Sequence, residues 1–275
     1  MLVTGGFSDL DRPPLRERDL RRALLRDPGP WTSVQVVDSV GSTNAEVAAL
    51  ARSGAESGAV LVAESQTAGR GRLDRVWAAP ARSGLTFSVL LRPAAVAASS
   101  WGWFPLLAGV AVAGALGPLA EIDVGLKWPN DVLVGERKLA GILAERVDDA
   151  LVLGVGINVS LRADELPVPT ATSLHLEGSA VVDRMPVLLA VLRSMGRLYA
   201  EFADASGDAD ASGLRSSYRG LSSTLGAPVR AELPGGRVVT GTAIDIDASG
   251  RLVLQTEDGT VPIGAGDVIH LTVSA

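Results

Sequence analysis

The 275-residue chain has no cysteine and only two histidines, His175 and His270. The absence of thiols excludes disulfides, thiolate nucleophiles and cysteine-based zinc sites. The two histidines lie far apart in the sequence, which excludes a histidine-rich metal cluster. Neither histidine has a paired acid at a recognisable spacing, so both are expected to be structural.

The chain also lacks an excess of positive charge, since 25 Lys and Arg stand against 31 Asp and Glu, a net charge of −6. Proteins that bind nucleic acid non-specifically need a basic face that contacts the phosphates. We therefore predict that the chain has no nucleic-acid partner. The net charge does not exclude small local basic patches.

Long apolar runs are scarce. The first 20 residues contain no signal-peptide-like stretch. No residue is charged between Arg92 and Glu121, but residues such as Pro105 and Gly114 interrupt this segment, whereas a membrane span needs about 20 strongly apolar residues. The segment is interpreted as a loop followed by a buried helix, about Trp103–Leu116. The sequence therefore predicts no membrane span and a cytoplasmic protein.

Apolar residues make up 47% of the sequence, which supports a substantial folded core. Periodicity and turn residues predict an α+β body over residues 31–222, preceded by an N-terminal extension over 1–30. Short β-branched runs separated by glycine-containing turns predict a small β-barrel over 223–275. The predicted helices are Leu15–Leu25, one that begins near Thr43, Trp103–Leu116, Met185–Phe202 and Leu214–Gly220. The predicted strands of the body are Val34–Asp38, Ala59–Glu64, Leu85–Leu91, Val124–Trp128, Val132–Val134, Lys138–Arg146 and Leu151–Val159.

The first candidate site is the loop Gly69-Arg70-Gly71-Arg72-Leu73-Asp74-Arg75-Val76-Trp77. Glycines let a backbone approach a ligand closely, and arginine guanidinium groups suit carboxylates and phosphates. Trp77 adds a flat apolar face for a ring. Taken alone, the same composition also fits a solvated flexible loop or a nucleic-acid contact.

Two further segments carry polar groups at predicted strand ends. Lys127-Trp128-Pro129-Asn130-Asp131 presents a cation, an amide and a carboxylate around a turn, although a simple capped turn fits as well. Lys138 begins an apolar strand that contains Gly141, a residue that weakens a strand unless something must approach closely. Lys138 either leans over a cleft or is merely solvated.

Other segments are weaker by themselves. Alternating glycines in Gly154-Val155-Gly156-Ile157-Asn158 indicate close approach to one face, but no helix follows, so the segment is not a dinucleotide fingerprint. Ser42 and Thr43 stand at a helix start, where Thr43 and Glu46 have capping-box spacing. Gln66 is a lone amide before the arginine-rich loop.

These segments, in this order, resemble the biotin protein ligase family. The resemblance runs from Ser42-Thr43-Asn44 to Gly154–Asn158 and covers about residues 34–160, with a C-terminal barrel that also fits. It implies a mixed-sheet α+β catalytic domain of the biotin/lipoate ligase type and a small SH3-like β-barrel. The first predicted strand, at Val34, starts too early for a preceding helix-turn-helix domain. The monofunctional form, without a DNA-binding domain and without operator binding, is expected.

The resemblance implies a two-step reaction. Biotin and MgATP give biotinyl-5′-AMP and pyrophosphate, and a lysine of a biotin carboxyl carrier domain then attacks, with release of AMP. The expected partners are carrier domains of acyl-CoA or pyruvate carboxylases, and the expected assembly is a monomer or weak homodimer. The loop over residues 69–80 is expected to be mobile without ligand and ordered by biotin or the adenylate.

The family pattern also implies individual roles. Lys138 is the expected catalytic residue at the biotin carboxylate and the α-phosphate, assisted by Arg70, Arg72 and Asp131. Asp131 either helps to place Mg²⁺ or receives the acceptor lysine. Biotin binding is assigned to Ser42, Thr43, Gln66, Gly69, Arg70, Arg72, Lys138 and Gly141. ATP and adenylate binding is assigned to Arg72, Arg75, Trp77, Lys127, Asn130, Lys138 and Asn158.

Three alternatives remain at this stage. A lipoate or octanoate ligase would have an acyl tunnel instead of a polar ring pocket, and the loop at Gly69–Trp77 together with Lys127–Asp131 argues against it. A non-catalytic biotin-binding regulator would bind the ligand without transfer, which Lys138 and the arginines argue against. The glycine–arginine loop alone would also fit nucleic-acid binding.

Overall fold

The computed structural model describes residues 12–26, 29–73, 75–233, 235–264 and 267–270. Its helices are α1 Glu17–Leu24, α2 Thr43–Arg52, α3 Trp103–Ala120, α4 Arg184–Asp204 and α5 Leu214–Leu221, with short 3₁₀ turns at Ala98–Ser100 and Ala163–Glu165. The strands are β1 Ser33–Val37, β2 Ala59–Ala63, β3 Gly84–Leu91, β4 Gly125–Lys127, β5 Asp131–Val134, β6 Arg137–Val147, β7 Ala150–Asn158, β8 Pro228–Glu232, β9 Val238–Ile246, β10 Leu252–Thr256, β11 Gly259–Ile263 and β12 Asp267–His270.

The first seven strands form one mixed sheet in the order β1-β2-β3-β7-β6-β5-β4, in which only β1 and β2 run parallel. The last five strands form a separate antiparallel sheet in the order β11-β10-β9-β8-β12. The predicted α+β class, with a mixed-sheet body and a small C-terminal β unit, is confirmed. The side chain of His270 lies outside the described residues, whereas His175 is exposed.

Strand β7 is buried along its whole length. The side chains of Leu153 and Val155 point to the face opposite that of their neighbours in the strand, as expected for a side-chain period of two. Leu153, Val155 and Ile157 join the large core beneath α3 and α4, whereas Val152 packs with α2 on the opposite face. Helix α2 covers only part of that second face, and the uncovered part forms a cleft.

Helix α3 has no charged residue and is buried in the core, where it packs against α4, α5 and the sheet. By length and composition it would qualify as a membrane span, but 67% of it is buried inside the protein, as in a core helix. The predicted end at Leu116 was one turn too early. The helix continues through Gly117 and Pro118 to Ala120 and stops at Glu121, which has a left-handed backbone.

The predicted capping box at the start of α2 is wrong. The N-cap is Ser42, which makes no side-chain cap, and the Thr43 hydroxyl instead donates to Gln66 Oε1 at 3.1 Å. A partner 23 positions away has replaced the local one. Gly54 follows the C-cap of α2, Ser53, and has a φ of +85°.

The turn between β9 and β10 attaches the small sheet to the body. Trp103 Nε1 donates to Ala248 O at 3.0 Å, and Trp128 Nε1 donates to Gly250 O at 3.2 Å. A Cβ on Gly102 would lie 2.2 Å from Ser249 O, so glycine is needed for this close approach. The small sheet is thereby held beside the Lys127–Asp131 segment.

Candidate active site

The uncovered face of the large sheet holds a cleft of about 730 Å³. The structure brings nearly all of the predicted site residues together there. The following line the cleft: Ser42, Thr43, Gln66, Arg70, Arg72, Arg75, Trp77, Lys127, Asn130, Asp131, Lys138, Gly141 and Asn158. Gly69 does not line it. A Cβ on Gly69 would lie 2.3 Å from Trp77 O and 2.9 Å from Gln66 Nε2, so its role is to let the loop close on itself.

The floor of the cleft is a pair of glycines, Gly141 on β6 and Gly156 on β7, which are direct partners in the antiparallel ladder. A Cβ on Gly156 would lie 2.3 Å from Trp77 Cε2, and one on Gly141 would lie 3.1 Å from Trp77 Cζ3. The two glycines therefore form a flat bed for the Trp77 indole. Trp77 Nε1 is buried and has no hydrogen-bond partner among the described residues.

Lys138 leans over this floor. Its Nζ lies 2.6 Å from Asp131 Oδ1 and 5.9 Å from the centroid of the Trp77 ring. Asp131 Oδ1 receives no well-aligned hydrogen bond from the described residues, so charge holds the pair rather than a directed bond. Both side chains are partly exposed to the cleft, which leaves the ammonium available to an anionic ligand.

The N–H and the carbonyl of Lys138 are both bound by one neighbouring segment. Its N–H donates to Thr170 O at 2.7 Å, and its carbonyl accepts from Thr172 N–H at 2.9 Å. The segment around Ala171 thus pairs with Lys138 as an extra short strand. This segment forms one wall of the cleft, because Pro167, Val168, Thr170 and Ala171 also line it.

The arginine-rich loop is folded over the cleft. Gly71 N–H donates to Arg75 O at 2.6 Å, and Trp77 N–H donates to Gly69 O at 2.9 Å. Arg72 Nη1 lies 3.2 Å from Asn130 Oδ1. Arg72 of the loop therefore contacts the Lys127–Asp131 segment, whereas Arg70 contacts Glu145 on β6.

Gln66 and Thr43 form a hydrogen-bonded polar pair in the cleft lining. Gln66 Oε1 accepts from Thr43 N–H at 2.7 Å and from Thr43 Oγ1 at 3.1 Å. Elsewhere in the cleft, Asn158 Nδ2 donates to Thr172 O at 2.8 Å and Asn130 Nδ2 donates to Ile142 O at 3.1 Å. These contacts fix the orientation of all three amide side chains.

Sequence reasoning missed a chain of polar side chains that begins at Thr43 and Asn44 in the cleft lining. Ser88 Oγ lies 2.7 Å from Thr43 Oγ1 and 2.6 Å from Asn44 Oδ1. Asn44 Nδ2 donates to Glu145 Oε2 at 2.6 Å, and Arg70 lies 3.1 Å from the same carboxylate. The chain therefore joins Thr43 to the arginine-rich loop.

Gly154, a glycine inside a strand, is the feature of the sequence that indicated this network. A Cβ there would lie 2.1 Å from Asn44 Oδ1, so the glycine makes room for a protein side chain. The predicted close approach along β7 is thus confirmed, but at Gly154 and Gly156 the approaching groups are Asn44 and Trp77.

Residues 36–161 match the Biotin/lipoate A/B protein ligase family, and residues 224–271 match the Biotin protein ligase C terminal domain. A biotin--[acetyl-CoA-carboxylase] ligase of Mycobacterium tuberculosis is 46% identical over 264 residues, which are 94% of this chain and 97% of the relative. The bifunctional ligase/repressor BirA of Bacillus spizizenii is 33% identical over 239 residues, 84% of this chain and 72% of the relative.

A solved structure of the biotin protein ligase from Aquifex aeolicus, in complex with biotin and ATP, has the same fold. It superposes with a TM-score of 0.74 at 32% identity and covers 87% of this chain and 98% of that chain. The likeness spans both the body and the small C-terminal sheet. By sequence and by fold, the chain belongs to the biotin protein ligase family.

Proposed function

We propose that this protein is an ATP-dependent biotin protein ligase, which activates biotin as biotinyl-5′-AMP and transfers it to a lysine of a biotin carboxyl carrier domain. The single observation that carries the proposal is the placement of Lys138. Its ammonium lies in a cleft that is lined both by three arginines and by neutral amides and hydroxyls. A carboxylate and a phosphate need the first group, and an uncharged polar ring needs the second.

The first step must bring two anions together. The biotin carboxylate attacks the α-phosphorus of ATP, and negative charge builds up on the phosphoryl oxygens as pyrophosphate leaves. Fixed cations in a site that excludes water stabilise this charge most strongly in the transition state. We assign this role to Lys138, assisted by Arg70 and Arg72.

The ureido ring of biotin requires donors and acceptors in fixed positions. We assign it to Ser42, Thr43 and Gln66, with backbone near Arg70 and Gly141. Each unsatisfied buried polar group would weaken binding by about 1–3 kcal/mol. The hydrogen bonds between Thr43 and Gln66 support the assignment, because they hold both side chains before the ligand arrives.

We assign the adenylate to Trp77, Asn130 and Asn158, with Arg72, Arg75 and Lys127 facing its phosphates. Mg²⁺ typically takes one or two carboxylates together with substrate phosphates, and Asp131 is the carboxylate beside Lys138 that fits such a site. Bound Mg²⁺ would shield the leaving pyrophosphate. The described residues contain no cluster of three or more acidic or histidine ligands.

Carrier domains of acyl-CoA or pyruvate carboxylases are the proposed acceptors. The protein is proposed to act in the cytoplasm as a monomer or weak homodimer, without binding nucleic acid. In the second step the ε-amine of the acceptor lysine attacks the acyl carbon of the mixed anhydride, the C–O bond to AMP breaks, and the amine proton is lost. Asp131 is positioned either for the metal or for the incoming ammonium.

The test is direct detection of the first step. We expect biotin-dependent exchange of labelled pyrophosphate into ATP, with biotinyl-5′-AMP recovered from the enzyme. Lipoate and octanoate serve as competing substrates. Exchange that depends on lipoate or octanoate, and not on biotin, would replace the proposed function with that of an acyl ligase.

The arginine-rich loop gives a second prediction. We expect biotin to slow cleavage by trypsin between Arg70 and Arg75 by at least about tenfold, because a ligand beneath the loop adds contacts that oppose local opening. Digestion with and without biotin, followed by mass spectrometry of the fragments, measures this rate. Cleavage after exposed Arg52 on α2 is the internal control, and equal protection at both positions would contradict a specific ordering of the loop.

A further inference from the structure

We propose that residues 12–15, here called the N-terminal strap, position Lys138 and Gln66 by bracing two walls of the cleft from behind. The inference rests on the proposed function and extends it to a segment that contributes nothing to the cleft lining. Neither matched family region includes the strap, because the first of them begins at residue 36. Its effect would therefore be a positioning effect, exerted through other residues.

One end of the strap is anchored by Arg12, whose side chain is only 5% exposed. Its Nη1 and Nη2 bind the two oxygens of Glu165 at 3.1 and 2.6 Å. The same guanidinium binds Ser160 O at 2.8 Å and Ser160 Oγ at 3.1 Å. Arg12 thus joins the end of β7 to the short turn at Ala163–Glu165.

The contact with Glu165 continues into the active site. Glu165 stands before the segment that lines the cleft at Pro167–Ala171, and Thr170 and Thr172 hold the backbone of Lys138. Burial raises the pKa of Glu165, but the hydrogen bonds from Arg12 and from Arg162 N–H lower it more, so the carboxylate is charged. The strap therefore fixes the wall that fixes Lys138.

The other end of the strap is anchored at Glu64, the residue after β2. Leu15 N–H donates to Glu64 Oε1 at 2.6 Å, Arg184 pairs with Glu64 Oε2, and Arg184 Nη2 also donates to Pro13 O at 2.6 Å. Both charged side chains are buried. Gln66, the proposed ureido ligand, follows only two residues later, so this anchor fixes the second wall.

The energetic cost of the anchors favours a positioning role. Desolvating two ion pairs offsets most of their attraction, so buried pairs are weak sources of stability and are better suited to fixing geometry. The strap also touches both walls within four residues, although the anchoring residues Glu64 and Glu165 are 101 positions apart in sequence. A short rigid brace of this kind limits the distance between Gln66 and Lys138.

The test compares Arg12→Gln with Arg92→Gln in the full chain. Arg92 is a matched control, because it also binds carbonyl oxygens, of Ala51 and Ala55, and a carboxylate, of Asp149. Arg92 follows the last residue of β3. The first residue of that strand, Gly84, is the one that pairs with Asn158 beside the cleft, so Arg92 lies at the opposite end of the strand. Thermal unfolding midpoints are measured first, and single-turnover formation of biotinyl-5′-AMP is then measured below both transitions.

We expect Arg12→Gln to slow adenylate formation by roughly tenfold at saturating biotin and ATP, since small misplacements of catalytic groups are costly, while Arg92→Gln stays within about twofold of the wild type. Arg12→Lys, which retains the charge, should recover part of the rate. Glu165→Gln breaks the same pair from the other side and should reproduce the slow rate if Arg12→Gln does not fold. Folded variants with equal rates would overturn the proposal, and so would equal slowing by Arg92→Gln. A wild-type protein that makes no adenylate would instead refute the proposed function.

Discussion

Replacement of Lys138 by alanine is expected to lower the rate of biotinyl-5′-AMP formation by at least about 10²–10³-fold, equivalent to roughly 2.7–4 kcal/mol of transition-state stabilisation. The affinity for biotin should change by less than about tenfold, or about 1.4 kcal/mol. Single-turnover adenylate formation and equilibrium biotin binding measure the two quantities on the same protein.

The structure explains why the loss should be large. Lys138 Nζ is a fixed cation 2.6 Å from Asp131, and the segment around Ala171 binds both its backbone N–H and its carbonyl. Alanine would remove the charge that stabilises the transition state and would leave the Asp131 carboxylate without its partner. That carboxylate would then repel the incoming phosphates.

The control for this prediction is the neighbouring residue. Arg137 is exposed, pairs with Glu177 and does not line the cleft, so Arg137→Ala should leave adenylate formation within about twofold. An equal loss in both variants would indicate a general disturbance of β6. A Lys138→Ala enzyme that forms adenylate at the wild-type rate would remove the central assignment of the site.

Replacement of Gly156 by alanine is expected to slow adenylate formation by about 10²-fold and to let the adenylate hydrolyse faster when no acceptor is present. The new Cβ would lie 2.3 Å from Trp77 Cε2, so the indole would have to leave its bed on the sheet. Because Trp77 anchors one end of the arginine-rich loop, the loop would then cover the cleft less well. Release of AMP without acceptor measures the leak.

A double-mutant cycle isolates this cause. If Gly156 is required only to seat Trp77, then Gly156→Ala, Trp77→Ala and the double variant should have similar rates, with strong non-additivity. Additive losses would mean that Gly156 acts on something other than the indole. Gly114→Ala is the matched control, since this exposed helical glycine has open space around its Cβ position and alanine should be neutral or slightly stabilising there.

The elements and most of the site could be predicted because their signals are local. Turn residues mark the segment from Lys127 to Asp131, and others mark the β5–β6 hairpin. Both the segment and the hairpin could therefore be recognised without knowledge of the fold. The glycines at 141 and 156 indicated close approach within strands. Their partner, Trp77, was itself already conspicuous at the end of the arginine-rich loop.

The remaining features depend on which distant segments meet. The network of Asn44, Ser88 and Glu145 requires the register of three separate elements, which no single stretch of sequence specifies. The capping box failed for the same reason, because Gln66 supplied the partner for Thr43. The contact between Arg12 and Glu165 joins residues 153 positions apart, and the role of the N-terminal segment could not be predicted without it.

The most direct test of the account is transfer of biotin to a purified biotin carboxyl carrier domain, followed by intact mass measurement. With wild-type protein, ATP, Mg²⁺ and biotin, we expect every carrier molecule to gain one biotinyl group on a single lysine, and we expect no gain when ATP or biotin is omitted. Binding of biotin with no labelling of the carrier would contradict the account and would identify the protein as a biotin-binding regulator.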